Sequence, residues 1–211
     1  GLLIDKNILG RTGEKAYNVF GKWSICFALK NKENQVAGLY FRSILTPTLS
    51  KGEGEIGKHF YLKNRQGLYP NYPNINTKKL ILTESIIDAA SLLQIDKIKK
   101  NHSVLACYGT NGLNVEIQNS IKELQQLEEI IFCFDNDEAG QEAVKKYSQM
   151  LQSEYPNLKI STVEVIGKDI NETLQGHEES IFIELLNKRT ELNFFFFLQD
   201  FNFSNGVRDN A

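Results

Sequence analysis

A chain of 211 residues with a 41% hydrophobic fraction is long enough to bury one generous core or two modest ones, so disorder is not its expected state. Its 24 basic and 26 acidic residues leave a formal charge of -2, and any contact with a polyanion has to come from a local patch or a bound cation. No apolar run approaches the roughly 20 residues that span a bilayer, and Cys26, Cys107 and Cys133 lie far apart in apolar runs without a CxxC pair, which predicts three buried free thiols in a reducing cytoplasm and neither a zinc knuckle nor a disulfide framework.

The first 75 residues read as strands and irregular segments. "KWSICFALKN" and "NQVAGLYFRSI" are apolar runs on either side of "KNKEN", the pattern of a hairpin. "TPTLSKGEGEIGKHF" reads as a surface loop, and the aromatic, turn-rich "YLKNRQGLYPNYPN" marks a domain boundary. Arg42, Lys58, His59, Lys63 and Arg65 are interleaved with Phe60, Tyr61 and Tyr69, the composition of a surface that contacts phosphates and stacks on bases. A solvated basic face is the plainer reading, with Glu53 and Glu55 close by.

From residue 76 to 190 the pattern alternates. "KLILTE", "SVLACYG", "EIIFCFD" and "KISTVEVI" read as buried strands; "SIIDAASLLQI", "IQNSIKELQQL", "DEAGQEAVKKYSQMLQ" and "EESIFIELLNK" read as helices. The first of these helices has Ile86, Ala89, Ala90 and Leu93 on one face, and the long third one Ala139, Ala143, Tyr147 and Leu151. "KIKKNH" reads as a helix end with favourable cations. Such alternation predicts an α/β fold, a mostly parallel sheet flanked by helices, with ligands beyond the carboxyl ends of its strands. Residues 191–211 form an aromatic extension containing "NFFFFLQDFNF", read as an arm that packs its rings into a core, as an oligomer contact or as an interface to a further domain.

Acids gather at the strand ends. Glu84 ends the first strand and Asp88 follows one helical turn later; Asp135 ends the third, Asp137 comes two residues on, and Asp169 lies in "GKDINETL" after the fourth. Alone, Asp137 reads as a helix cap and Glu84 as a surface acid. Together they stand where the topology converges, and hard oxygen donors without His or Cys suit magnesium or manganese. "YGTNGLN" reads either as a turn that needs its glycines or as a cleft wall in which Thr110 touches phosphate or template.

"LTESIIDAASL", "CYGTNGL", "FCFDNDEAGQEA" and "GKDINETL" resemble the successive motifs of the Toprim domain of bacterial-type DNA primases, and "ICFALKNKENQVAGLYFRS" with "GKHFYLKNRQGLYP" is similar to the amino-terminal subdomain of the primase catalytic core, most of all in phages and mobile elements. The resemblance covers roughly residues 23–186. It implies a Toprim-type, Rossmann-like sheet preceded by a small α+β subdomain, in a catalytic-core portion without the zinc-binding domain. It implies metal ligation by Glu84, Asp135, Asp137 and Asp169, catalytic roles for these and Asp88, and nucleic-acid contacts from Arg42, Lys58, Lys63, Arg65 and Thr110. Mg2+ or Mn2+ is the implied cofactor. Single-stranded DNA, ribonucleoside triphosphates and a replicative helicase or further domains are the implied partners, in the cytoplasm and without a membrane. Ser85 stands where the family has glycine, and Asn171 where it has a second aspartate. The implied activity is RNA primer synthesis, against a non-catalytic DNA-binding module and a Toprim nuclease as alternatives.

Overall fold

In the first unit of the chain, Gly1–Asn71, period-two alternation sorts the side chains of a small antiparallel sheet. A computed structural model describes residues 2–44, 59–62 and 65–192; Lys58, Lys63, residues 46–58 of the surface loop expected over 46–60, and the phenylalanines from 194 onward lie outside these. The last two residues of that expected loop, His59 and Phe60, belong to a strand. Strands β1 (Leu2–Leu9) and β2 (Lys15–Phe20) pair with each other. β3 (Ser24–Lys30) and β4 (Val36–Ser43) form the expected hairpin, and β5 (His59–Tyr61) adds to the far side of β4. Phe41 stacks on Phe60 at 5.4 Å, and Phe20 meets both rings edge-on. Cys26 corrects one expectation: it is exposed, because β3 is the edge strand of its sheet.

The second unit, Tyr72–Ala211, is built on a five-stranded sheet. Its strands β6 (Lys79–Thr83), β7 (Ser103–Ala106), β8 (Glu129–Cys133) and β9 (Lys159–Thr162) are parallel, and β10 (Thr190–Glu191) closes one edge antiparallel. Leu80, Ile81, Leu82, Ile130, Ile131 and Phe132 are wholly buried, as strands covered on both faces require. The connecting helices are α1 (Ile86–Leu92), α2 (Asp96–Asn101), α3 (Val115–Lys122), α4 (Glu138–Glu154), α5 (Ile170–Gly176) and α6 (Ser180–Asn187). "KIKKNH" belongs to a short helix of its own, α2, with Lys99 and Lys100 in the last turn. The strand order is β10-β9-β8-β6-β7. The chain therefore leaves β6 toward β7 on one side and leaves β8 toward β9 on the other, which opens a crevice beyond the carboxyl ends of β6 and β8.

Two helix faces differ from their expected registers. On α4 the buried residues are Gly140, Ala143, Tyr147, Ser148 and Leu151, with Ala139 in solvent; on α1, Ser91 and Leu92 are buried more deeply than Ala90 and Leu93. In both cases the helix is rotated by what it packs against, for α1 the helix α5 and for α4 the backbone at Asp135. No helix among the described residues is long and apolar enough to cross a membrane.

At the amino-terminal end of β8, Glu129 is 3% exposed. Burial alone would raise its pKa, but Arg189 grips both carboxylate oxygens at 2.6 and 2.8 Å, Ser161 donates to one of them, and Lys159 lies nearby, so the carboxyl is held below its usual range. Removing one partner of a buried ion pair strands the other charge, which typically costs about 3–5 kcal/mol. Arg189→Met is therefore expected to lower the unfolding free energy in chemical denaturation by about 3 kcal/mol, and adding Glu129→Leu to recover most of the loss. An Arg189→Met variant of unchanged stability would contradict the assignment.

Candidate active site

β6 and β8 are adjacent and parallel, with Thr83 opposite Cys133. Glu84 follows β6 directly and Asp135 follows β8 after Phe134, so the two acids emerge at neighbouring strand ends and within each other's field. Glu84 accepts a hydrogen bond from the Asp135 backbone and carries a buried oxygen, Oε2, without a hydrogen-bond partner. A buried polar atom left unpaired is costly.

The other acids close around this pair through helix starts. Asp137 is the N-cap of α4 and accepts from the Gly140 amide at 2.8 Å; Asp169 is the N-cap of α5 and accepts from Glu172 at 2.7 Å. A carboxylate that caps through one oxygen retains the other for a cation. Gly140 is required here, because a Cβ would collide with the Asp135 carbonyl oxygen. Asp88 is 4% exposed and differently engaged. The Ser85 hydroxyl donates to it at 2.5 Å and caps α1 by accepting the Asp88 amide, and backbone N–H of Asn171, on α5, also reaches its carboxylate. Ser85, at the position where glycine was the expected residue, is thus a helix cap, and Asp88 joins α1 to α5. The Asn171 side chain accepts from Ser91 at 3.4 Å.

The electrostatics are those of crowded like charges. Asp135 is pushed up to about 7, first by burial and then by the charges of Glu84, Asp88, Asp169 and Asp137. Burial raises Glu84 too, reinforced by Asp137 and Asp88 and offset by Lys168. Asp88 is raised by burial, against the hydrogen bond from Ser85. Among the described residues, no three His, Cys, Asp or Glu side chains are gathered tightly enough to hold a metal ion as they lie. The donor chemistry nevertheless fits a hard divalent cation: all-oxygen, multiply acidic, with an unpartnered buried oxygen facing its neighbours' charge.

The turn after β7 lies against the same place. Gly109 donates to the Glu84 carbonyl at 2.7 Å, and a Cβ on Gly112 would collide with the Cys107 carbonyl oxygen. Thr110 sits half-buried in this turn. In the first unit, Arg42 is opposite His59 and Tyr40 opposite Tyr61, so these four share one face of β4 and β5, the face opposite Phe41 and Phe60. Arg65 lies over the Tyr61 ring at 4.5 Å. Sequence reading missed the Glu129–Arg189 pair and Lys168; Asp169 followed three residues later by Glu172 is a capping-box spacing that marks the start of α5.

Residues 81–174 match the Toprim-like family. The chain is 30% identical over 116 residues to a DNA helicase/primase of Enterobacteria phage T3, covering 52% of this chain and 19% of the phage protein. It shares the fold of a DNA primase domain from Pseudomonas aeruginosa, with a TM-score of 0.61 and 19% identity over 94% of this chain and 60% of that one. It also shares the fold of a DnaG primase catalytic domain bound to ssDNA, with a TM-score of 0.63 and 16% identity over 93% and 59%. The chain thus spans about a fifth of the phage relative and about three fifths of each solved structure.

Crowding has a measurable consequence for the metal-free protein. An acid whose folded pKa lies above its unfolded value binds more protons folded than unfolded between the two, so stability falls as pH rises from about 4 through about 7. Asp135→Asn removes that penalty. In EDTA its thermal midpoint is expected to exceed wild type by a few degrees at pH 8, with the gap closing toward pH 4. A gap independent of pH would contradict the electrostatic origin.

Proposed function

We propose that this chain, with its Toprim-like domain over residues 81–174, is the catalytic portion of a primase that condenses ribonucleoside triphosphates on a single-stranded DNA template. The observation that carries the reading is the pairing of Glu84 with Asp135 at the crevice beyond β6 and β8, where Asp137 and Asp169 add their charge. Isolated surface acids have no reason to be forced together in this way.

In this reading Glu84, Asp135, Asp137 and Asp169 hold Mg2+ or Mn2+. A cation bound by them would offset charge on the triphosphate and on the leaving pyrophosphate. A cation held there would give the Glu84 Oε2 the partner it lacks and relieve the repulsion that raises Asp135. Asp88 acts at one remove, fixing α1 against α5 and with it the position of Asp169. Thr110, on the turn anchored to the Glu84 carbonyl, lines the crevice. No side chain serves as a covalent nucleophile: a 3′ hydroxyl oxygen attacks the α-phosphorus and gives up its proton to solvent, the bond to pyrophosphate breaks and pyrophosphate leaves, and alignment together with charge placement lowers the barrier.

Template contacts belong to the first unit in this reading. Arg42 and Arg65 meet phosphates, Tyr61 offers a ring for stacking, and Lys58 and Lys63 extend the basic strip in sequence. The ssDNA-bound DnaG catalytic domain of the same fold supports a DNA template. The helicase/primase relative supports a helicase as the physical partner, fused or separate. A binding module without catalysis is the second reading, favoured by Asn171 at the position of a second acid and by the use of Asp137 and Asp169 as caps.

With single-stranded DNA, labelled ribonucleotides and Mn2+, short oligoribonucleotides are expected from wild type and a loss of about 100-fold or more from Glu84→Gln. Equal product from both would remove Glu84 from the chemistry, and no product from wild type that binds DNA and metal would favour the binding module. Arg42→Ala with Arg65→Ala is expected to weaken DNA binding and flatten its dependence on salt, since each lost phosphate contact releases fewer counterions. An unchanged slope would make the strip a solvated face.

A further inference from the structure

At the rim of the crevice a lysine, Lys168, sits on a loop hydrogen-bonded to the turn between Asp135 and Asp137. Lys168 is the residue whose positive charge acts on Glu84, and it immediately precedes the cap residue Asp169. Its backbone is fixed from two sides. The amide of Asn136, which lies between Asp135 and Asp137, donates to the Lys168 carbonyl at 2.8 Å, and the Lys168 amide donates to the Glu172 side chain at 2.6 Å. Thr173 ties the same loop down by donating its hydroxyl to the carbonyls of Ile166 and Asp169. The loop is therefore built onto the turn that carries the two aspartates.

Its side chain is not used for this purpose. Lys168 is exposed, and its ammonium makes none of the ion pairs within 4 Å found among the described residues. With the backbone fixed, only the four side-chain bonds of Lys168 remain to be ordered when its ammonium meets a ligand, which limits the entropy cost of binding.

We infer that Lys168 binds the β- and γ-phosphates of the incoming nucleoside triphosphate, a positioning role at the mouth of the carboxylate crevice that rests on the primase reading. The chemistry favours phosphate over the neighbouring acids as its partner. A triphosphate carries more charge than one divalent ion neutralises, and an ammonium on a long stem is a point charge suited to phosphate oxygens. Held at the edge, it supplies that charge without displacing a cation from the carboxylates.

The test uses the full chain with Mn2+ and three variants of one exposed position, Lys168→Met, Lys168→Gln and Lys168→Arg. Binding of Mn2+ alone is measured first, then binding of an α,β-methylene nucleoside triphosphate and of the corresponding monophosphate in saturating Mn2+. Lys168→Met and Lys168→Gln are expected to weaken triphosphate binding about tenfold or more, to leave monophosphate binding within about twofold, and to leave Mn2+ binding unchanged or tighter, with Lys168→Arg restoring most of the triphosphate affinity. Unchanged triphosphate affinity in Lys168→Met, or equal losses for monophosphate and triphosphate, overturns the inference while leaving the primase reading intact. Failure of the wild type to bind Mn2+ overturns the reading beneath it as well, and is told apart by the first titration.

Discussion

Two parallel strands that end side by side force Glu84 and Asp135 into each other's field, and the rest of the second unit is arranged around that repulsion. The apolar interior of β6 and β8 fixes where the chain emerges, because Leu80 to Leu82 and Ile130 to Phe132 cannot shift by one residue without turning buried side chains to the opposite face. The adjacent helices bring further acids. Asp137 and Asp169 each start a helix, where the partial positive charge of the helix terminus makes a carboxylate more tolerable than elsewhere. Their capping and their candidate role in binding are therefore compatible: capping sets one oxygen and keeps the residue at the crevice.

Asp88 shows how burial and position separate roles among similar residues. Its carboxylate is nearly sealed from solvent and hydrogen-bonded by the Ser85 hydroxyl, whereas Glu84, one turn earlier, keeps an oxygen without a partner. The first carries the geometry of α1 and α5; the second has unmet bonding capacity. In the first unit the alternation of β4 and β5 makes a similar division, sending Phe41 and Phe60 to an aromatic core and Arg42, His59 and Tyr61 to the other face.

Much of the second unit was legible in its sequence because the strands are fully apolar and the acids follow them directly. "KLILTE" and "EIIFCFD" give both the element and its functional end. What could not be read was what depends on contact partners. The register of α4 follows from Gly140 meeting the Asp135 carbonyl, which favours a glycine over the Ala139 that periodicity selects. Cys26 looked buried by its apolar neighbours, but an edge strand leaves it exposed. The Arg189 to Glu129 pair joins residues sixty positions apart, beyond any local pattern. Lys168 stands beside a recognised motif, yet only the hydrogen bond from Asn136 reveals that its loop is anchored to the aspartate turn.

The central claim is that these carboxylates come together for a divalent cation. Calorimetric titration of Mn2+ into the metal-free protein and into the Asp135→Ala, Asp137→Ala double variant tests it most directly. Saturable binding in the millimolar range or tighter by wild type, lost from the double variant, is the predicted result. Indistinguishable isotherms for the two proteins would contradict it.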